Sequence, residues 1–198
     1  LLASVGAYWR HLHDPRLRWW LLSALVFGLA CVAKYSAGLL IPIMVLLAIV
    51  RAWAKAPLSL AGRTFVRPAG KLGAIALSTL GHGLVAVLVI WAFFGFRYSA
   101  FNPALPGATD FIRPWAVTLR NIGMQGKIIH RLAGWRVLPE AYLYGYSFVM
   151  EMSEFRSGFL NGDYSIVGWT RFFPLAFLYK STLPVLLARG TIVLADAI

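Results

Sequence analysis

From Trp19 to Val50 the sequence carries one charged residue, Lys34, and from Leu72 to Phe96 it carries none. Apolar runs of this length dictate the solvent before they dictate the fold. A single helix over the first run would rise about 48 Å, well beyond a hydrocarbon core of about 30 Å. The run therefore has to break, and Lys34-Tyr35-Ser36, with Gly38 and Pro42 nearby, marks the place. The pattern predicts a helical hairpin over 19–54, with arms of roughly 18–35 and 37–54 and Lys34 at the far membrane face. Composition points the same way. Sixty per cent of the 198 residues are hydrophobic and 13% are charged, too few polar side chains to coat a water-soluble surface. The low charge and 15% aromatic content exclude disorder, and no Gly-X-Y period suggests collagen. The predicted class is an all-α membrane protein, a polytopic helical bundle of about four spans with an outer-face loop domain containing interfacial helices.

The formal net charge of +12 does not mark a nucleic-acid partner. Lys and Arg cluster at the ends of apolar runs, as topology signals and interfacial anchors do. Residues 1–18, with Arg10, Arg16 and Arg18, read as a cytoplasmic loop. Arg51, Lys55, Arg63, Arg67 and Lys71, with no acid among them, mark a basic cytoplasmic loop over 55–71. Residues 72–96 read as the clearest span, in which His82 sits between two glycines that favour close helix packing. Residues 97–171 then fall outside as an extracytoplasmic loop domain holding five of the seven acids. Within it Arg113, Arg120, Lys127 and Arg131 recur at helical spacing, the pattern of a helix lying in the headgroup layer. A second helix is expected over 140–155, a turn at Asn161-Gly162-Asp163, and a last, truncated span over 172–198. The Leu-Leu start and the apolar ending read as a piece of a longer polytopic protein.

Several chemistries lack their residues. There is no phosphate-cradling Gly-x-x-x-x-Gly-Lys-Ser/Thr loop and no HExxH, and the single Cys31 permits neither an intrachain disulfide nor a cysteine metal site. His11 and His13 read as solvated. Glu140, followed by Tyr142 and Tyr144, has the residue types that grip sugar hydroxyls and stack on pyranose faces. It equally suits a helix N-terminus, where Pro139 pre-sets the first turn and a carboxylate is favoured by the helix dipole. Lys34, Arg171 and Lys180 lie near membrane ends, placed either to hold a lipid phosphate or to snorkel. Asp163 is a further substrate candidate in its turn.

A resemblance narrows these readings. The stretch Gly28-Leu-Ala-Cys-Val-Ala-Lys34-Tyr35-Ser36-Ala-Gly38, with Pro42, resembles the K-Y-[ST]-A hairpin of membrane glycosyltransferases related to family 39, the protein-mannosyltransferase and aminoarabinose-transferase relatives of GT-C fold. Leu138-Pro139-Glu140-Ala-Tyr142-Leu-Tyr144-Gly145 is similar to a second motif. Phe159-Leu-Asn161-Gly162-Asp163-Tyr-Ser165, Gly168-Trp169 and Phe173-Pro174 through Lys180-Ser-Thr-Leu-Pro184 are similar to a third. Thr170, where a second large aromatic is common, and Arg189 depart from it. The resemblance implies an inverting transfer of sugar from a polyprenyl-phosphate donor on the outer face of a bacterial inner membrane. It also implies an upstream catalytic Asp and, in many members, a divalent metal such as Mg or Mn. Lys34, Lys180 and Arg171 would then bind phosphate, and Glu140, Tyr142, Tyr144 and Asp163 the substrate; the acceptor is not specified. The alternative is a non-catalytic transporter or scaffold subunit of a membrane complex.

Overall fold

A computed structural model describes residues 1–60, 62–101, 110–154, 157–166 and 168–181. It is mostly helical, with two short antiparallel strand pairs. Two compact units divide the chain, Leu1–Val149 and the residues from Met150 onward.

The first unit is built on α1 (Leu2–His13), α2 (Leu17–Ala33), a 3-10 turn (Tyr35–Leu39), α3 (Leu40–Trp53) and α4 (Pro68–Phe93). Residues 1–18, expected as loop, are thus largely helical. Tyr8 and Leu12 of α1 enter the core with Phe27, Leu40, Met44 and Ile75. Tyr8, His11 and Leu12 share one helix face at i, i+3 and i+4, and that face is the buried one. Pro15 separates α1 from α2, and Asp14 holds the corner by pairing with Arg16 at 3.0 Å and accepting from Trp19 Nε1 at 3.0 Å.

The hairpin breaks where the sequence predicts. Lys34 adopts extended backbone (φ −157°, ψ 126°) between α2 and the 3-10 turn. Helices α2 and α4 run in the same direction and touch closely at two glycines. A Cβ at Gly28 would meet Val89 at 3.0 Å, and one at Gly81 would meet the Trp20 ring at 2.6 Å. Gly83 faces open space and plays no such part. His82 is fully buried; its Nδ1 donates to the Ser78 carbonyl (2.9 Å) and its Nε2 bonds Ser23 Oγ (3.1 Å).

Among the described residues two helices are long and apolar enough to cross a membrane, Tyr35–Trp53 and Pro68–Phe93, fewer than the four expected. Helix α2 is equally apolar, but its 17 residues rise only about 25 Å. The expected fourth span shows α8 (Phe172–Lys180), and the remainder over 182–198 lies outside the described residues.

Between α3 and α4 the basic loop folds into β1 (Leu58–Leu60) and β2 (Arg63–Phe65), with Ser59 opposite Thr64. Beyond α4, α5 (Trp115–Asn121) and α6 (Gly123–Gly134) replace one amphipathic helix with two, broken at Gly123, whose φ of +56° favours glycine. Helix α7 (Glu140–Glu154) follows Pro139 as predicted. In the second unit β3 (Gly158–Leu160) and β4 (Asp163–Ser165) pair through Asn161 and Gly162, both at positive φ, the geometry of a two-residue hairpin.

Candidate functional site

Helix α7 carries three of the predicted site residues, and the α2–α3 break brings Tyr35 against the same helix. Tyr142 donates its hydroxyl to the Cys31 carbonyl at 3.1 Å, satisfying one of the acceptors left open in the last turn of α2. Burial, above all, raises the Tyr142 pKa, with Cys31, Tyr35 and Tyr146 adding to it, so the phenol remains a donor. The Tyr35 ring lies 5.4 Å from that of Tyr142 and 6.0 Å from that of Tyr146. Gly145 sits directly under the Tyr35 hydroxyl, where any Cβ would collide with it. Two segments about a hundred residues apart in sequence thus close into one aromatic junction. Lys34 stands at its edge with an exposed side chain.

Glu140 begins α7, its N–H donating to the Tyr98 carbonyl at 2.9 Å. Its Oε2 accepts from the Ala100 N–H at 3.0 Å. The helix-terminal reading of this carboxylate is therefore realised. One oxygen fastens the chain leaving α4, and Oε1 is left with acceptor capacity.

Tyr144 departs from the expectation of a sugar-facing ring. It is buried in an aromatic stack, 3.8 Å from Phe111 and 5.4 Å from Trp115 between centroids. Its hydroxyl donates to the Arg113 carbonyl (3.2 Å) and accepts from the Arg113 N–H (3.1 Å). A ring so committed positions α7 against the 111–115 segment and presents no face to a ligand. Asp163, Arg171 and Lys180 belong to the second unit. Asp163 is exposed in β4 opposite Leu160, Arg171 precedes α8, and Lys180 closes it. Among the described residues no three His, Cys, Asp or Glu side chains gather to hold a metal ion, and none is assigned a metal role.

Sequence reasoning missed a buried polar cluster at the level of Ser78. His11, expected in solvent, is buried and bonds Ser78 Oγ through Nε2 at 2.9 Å. Tyr8 and Thr79 share a hydroxyl–hydroxyl bond of 2.8 Å. The His11 and His82 rings lie 5.5 Å apart. Burial, with the His82 ring beside it, lowers the His11 pKa to about 4. The helical spacing of Tyr8 and His11 was the available signal; flanking arginines outweighed it. Two cations of the basic loop are also buried. Arg51 donates to the carbonyls of Leu12 (3.0 Å), Ala56 (3.0 Å) and Pro57 (2.8 Å), and Lys71 Nζ to that of Ala54 (2.6 Å).

No protein-family model, curated protein or solved structure matches the chain.

Proposed function

We propose that the chain is part of an integral-membrane glycosyltransferase that moves a sugar from a polyprenyl-phosphate donor to an acceptor on the outer face of a bacterial inner membrane. The observation that supports it best is the junction of Tyr35, Tyr142 and Gly145. Two motifs of the resemblance, read independently from distant segments, meet there side chain to side chain. In this reading the bundle crosses four times, through α2, the Tyr35–Trp53 segment, α4 and a last span that begins at α8. The short α2 crosses by local thinning of the bilayer. The Lys34 end faces outward and the basic β1–β2 end faces the cytoplasm.

A donor of this class leaves behind a lipid phosphate, whose negative charge grows as the glycosidic bond breaks. A cation fixed at that depth stabilises the transition state more than the ground state. Lys34 takes that role in the first unit, and Lys180 and Arg171 are the phosphate-binding candidates of the second. Oε1 of Glu140 accepts from a sugar hydroxyl, and Tyr142 borders the same site; Asp163, in the second unit, is a further substrate candidate.

The test is transfer from the lipid donor by the full-length membrane protein carrying Lys34→Ala, Lys180→Ala or Glu140→Gln at matched expression. Glu140→Gln keeps an acceptor for Ala100 while removing the charge. Loss of a cation that meets the departing phosphate is expected to slow transfer by roughly 30- to 1,000-fold, about 2–4 kcal/mol. Retention within about twofold by all three overturns the assignment.

A further inference from the structure

Helices α5 and α6 meet at an elbow that glycine makes possible. Gly123 opens α6 in the left-handed region, and a Cβ on Gly126 would fall on the Leu119 carbonyl oxygen of α5. Between the helices lies a cleft of about 830 Å³, lined by Arg120 from α5 and by Lys127, His130 and Arg131 from α6. No acid lines it among the described residues. All four side chains are exposed, and none pairs with another described residue. Three cationic side chains and an imidazole thus line one open space with no acid among its described lining residues. Such a space fits a phosphate, for which charge-assisted bonds from Arg and Lys are the strongest available.

The surroundings identify which phosphate. Met124, 78% exposed, lines the cleft, and Ile128, 55% exposed, follows one turn later on the same helix face. An aqueous ion gives these apolar side chains nothing to bury against. The C-terminal end of α6 is also fixed to the end of α4. Tyr98 donates its hydroxyl to the Ala133 carbonyl (2.8 Å), Trp91 donates Nε1 to the Val137 carbonyl (2.9 Å), and the Arg136 guanidinium lies 5.0 Å over the Tyr98 ring. The elbow is therefore anchored where a helix long enough to cross a membrane ends. Cations and apolar side chains on an amphipathic element at that depth are the ingredients of interfacial lipid binding.

We propose that the α5–α6 elbow is a binding site for the phosphate of an anionic membrane lipid. Arg120, Lys127 and Arg131 take the headgroup, and Met124 and Ile128 enter the acyl boundary. The site is separate from Lys34 and stands whether or not the protein transfers sugar.

The chain, purified in neutral detergent, is titrated with phosphatidylglycerol, phosphatidylcholine or inorganic phosphate, and bound molecules are counted by native mass spectrometry. Phosphatidylglycerol is expected to bind at least about tenfold more tightly than phosphatidylcholine, and millimolar inorganic phosphate is expected not to displace it. Removing three cations together (R120Q/K127Q/R131Q) should weaken phosphatidylglycerol binding roughly a hundredfold. The same charge removed at the opposite end (K55Q/R63Q/R67Q) should change it less than about twofold. Unchanged lipid binding by the elbow variant overturns the proposal, as does an equal loss in the opposite-end variant. Displacement of the lipid by inorganic phosphate assigns the cleft to a free ion and overturns it as well.

Discussion

The bundle has cations at both ends, and they are put to opposite uses. At the end shared by α1, α3 and the β1–β2 loop, Arg51 and Lys71 are buried, 6% and 1% exposed, with their donors on main-chain carbonyls. At the α5–α6 end, Arg120, Lys127 and Arg131 are exposed and pair with no described residue. Neither group has an acidic partner among the described residues, so ion pairing does not separate them. The separating feature is what surrounds the charge. The helix ends near Arg51 and Lys71 leave carbonyls that need donors, and a long cationic side chain supplies several at once. At the elbow no bond from these side chains to a main-chain carbonyl is found among the described residues, and the charge remains available to something outside the chain. One residue type thus serves as internal scaffolding at one end and as a surface at the other.

If that distinction is right, the two ends respond differently to loss of charge. The largest effect is expected for Arg51→Met, which keeps the aliphatic volume and strips donors from the Leu12, Ala56 and Pro57 carbonyls. It should destabilise the bundle by about 2–4 kcal/mol, read from thermal unfolding in detergent. A loss below about 0.5 kcal/mol would show that water replaces the guanidinium and that the scaffolding role is mistaken.

Next in size is a pH effect at the Ser78 level. His11 has a folded pKa near 4, against an ordinary value of 6.5. Between those values the unfolded chain binds a proton that the folded chain refuses, so stability is full above about pH 6.5 and falls as the pH drops toward 4. The decline should amount to about 2–3 kcal/mol. His11→Gln, which retains a bond to Ser78 without titrating, should flatten that slope; an unchanged slope would assign it to other groups.

The smallest effect belongs to the elbow. The R120Q/K127Q/R131Q variant should unfold within about 0.5 kcal/mol of the parent protein, since exposed substitutions away from caps and cores seldom cost more. Destabilisation on the scale of Arg51→Met would collapse the contrast between the two ends.

Much of the helical frame was legible because apolar length and punctuation report directly on it. Lys34 and Pro42 located the hairpin break, and Pro139 located the start of α7. Pro68 begins α4 one turn earlier than the apolar run alone suggests, because proline is at home in a helix's first turn. Burial of charge was not legible. Arg51 and Lys71 read as exposed because the sequence shows no acid for them, and a main-chain carbonyl leaves no trace in residue identity. His11 was hidden for a related reason: its partner, Ser78, lies 67 residues away. The site divides in the same way. Sequence put forward Glu140, Tyr142, Tyr144 and Lys34 as candidates, but whether a tyrosine faces a ligand or fills an aromatic stack depends on Phe111 and Trp115, which arrive from another segment.

The contact between Trp20 and Gly81 has a consequence for how this chain can change over generations. The indole is held by a bond from Nε1 to the Ser78 carbonyl at 3.2 Å, so it cannot swing aside to admit a larger neighbour. A substitution at 81 arriving alone meets a wall, and one at 20 arriving alone leaves a void. The viable route is a paired exchange, a smaller side chain at 20 inherited together with a larger one at 81. The two positions, 61 residues apart in the gene product, form a single heritable unit.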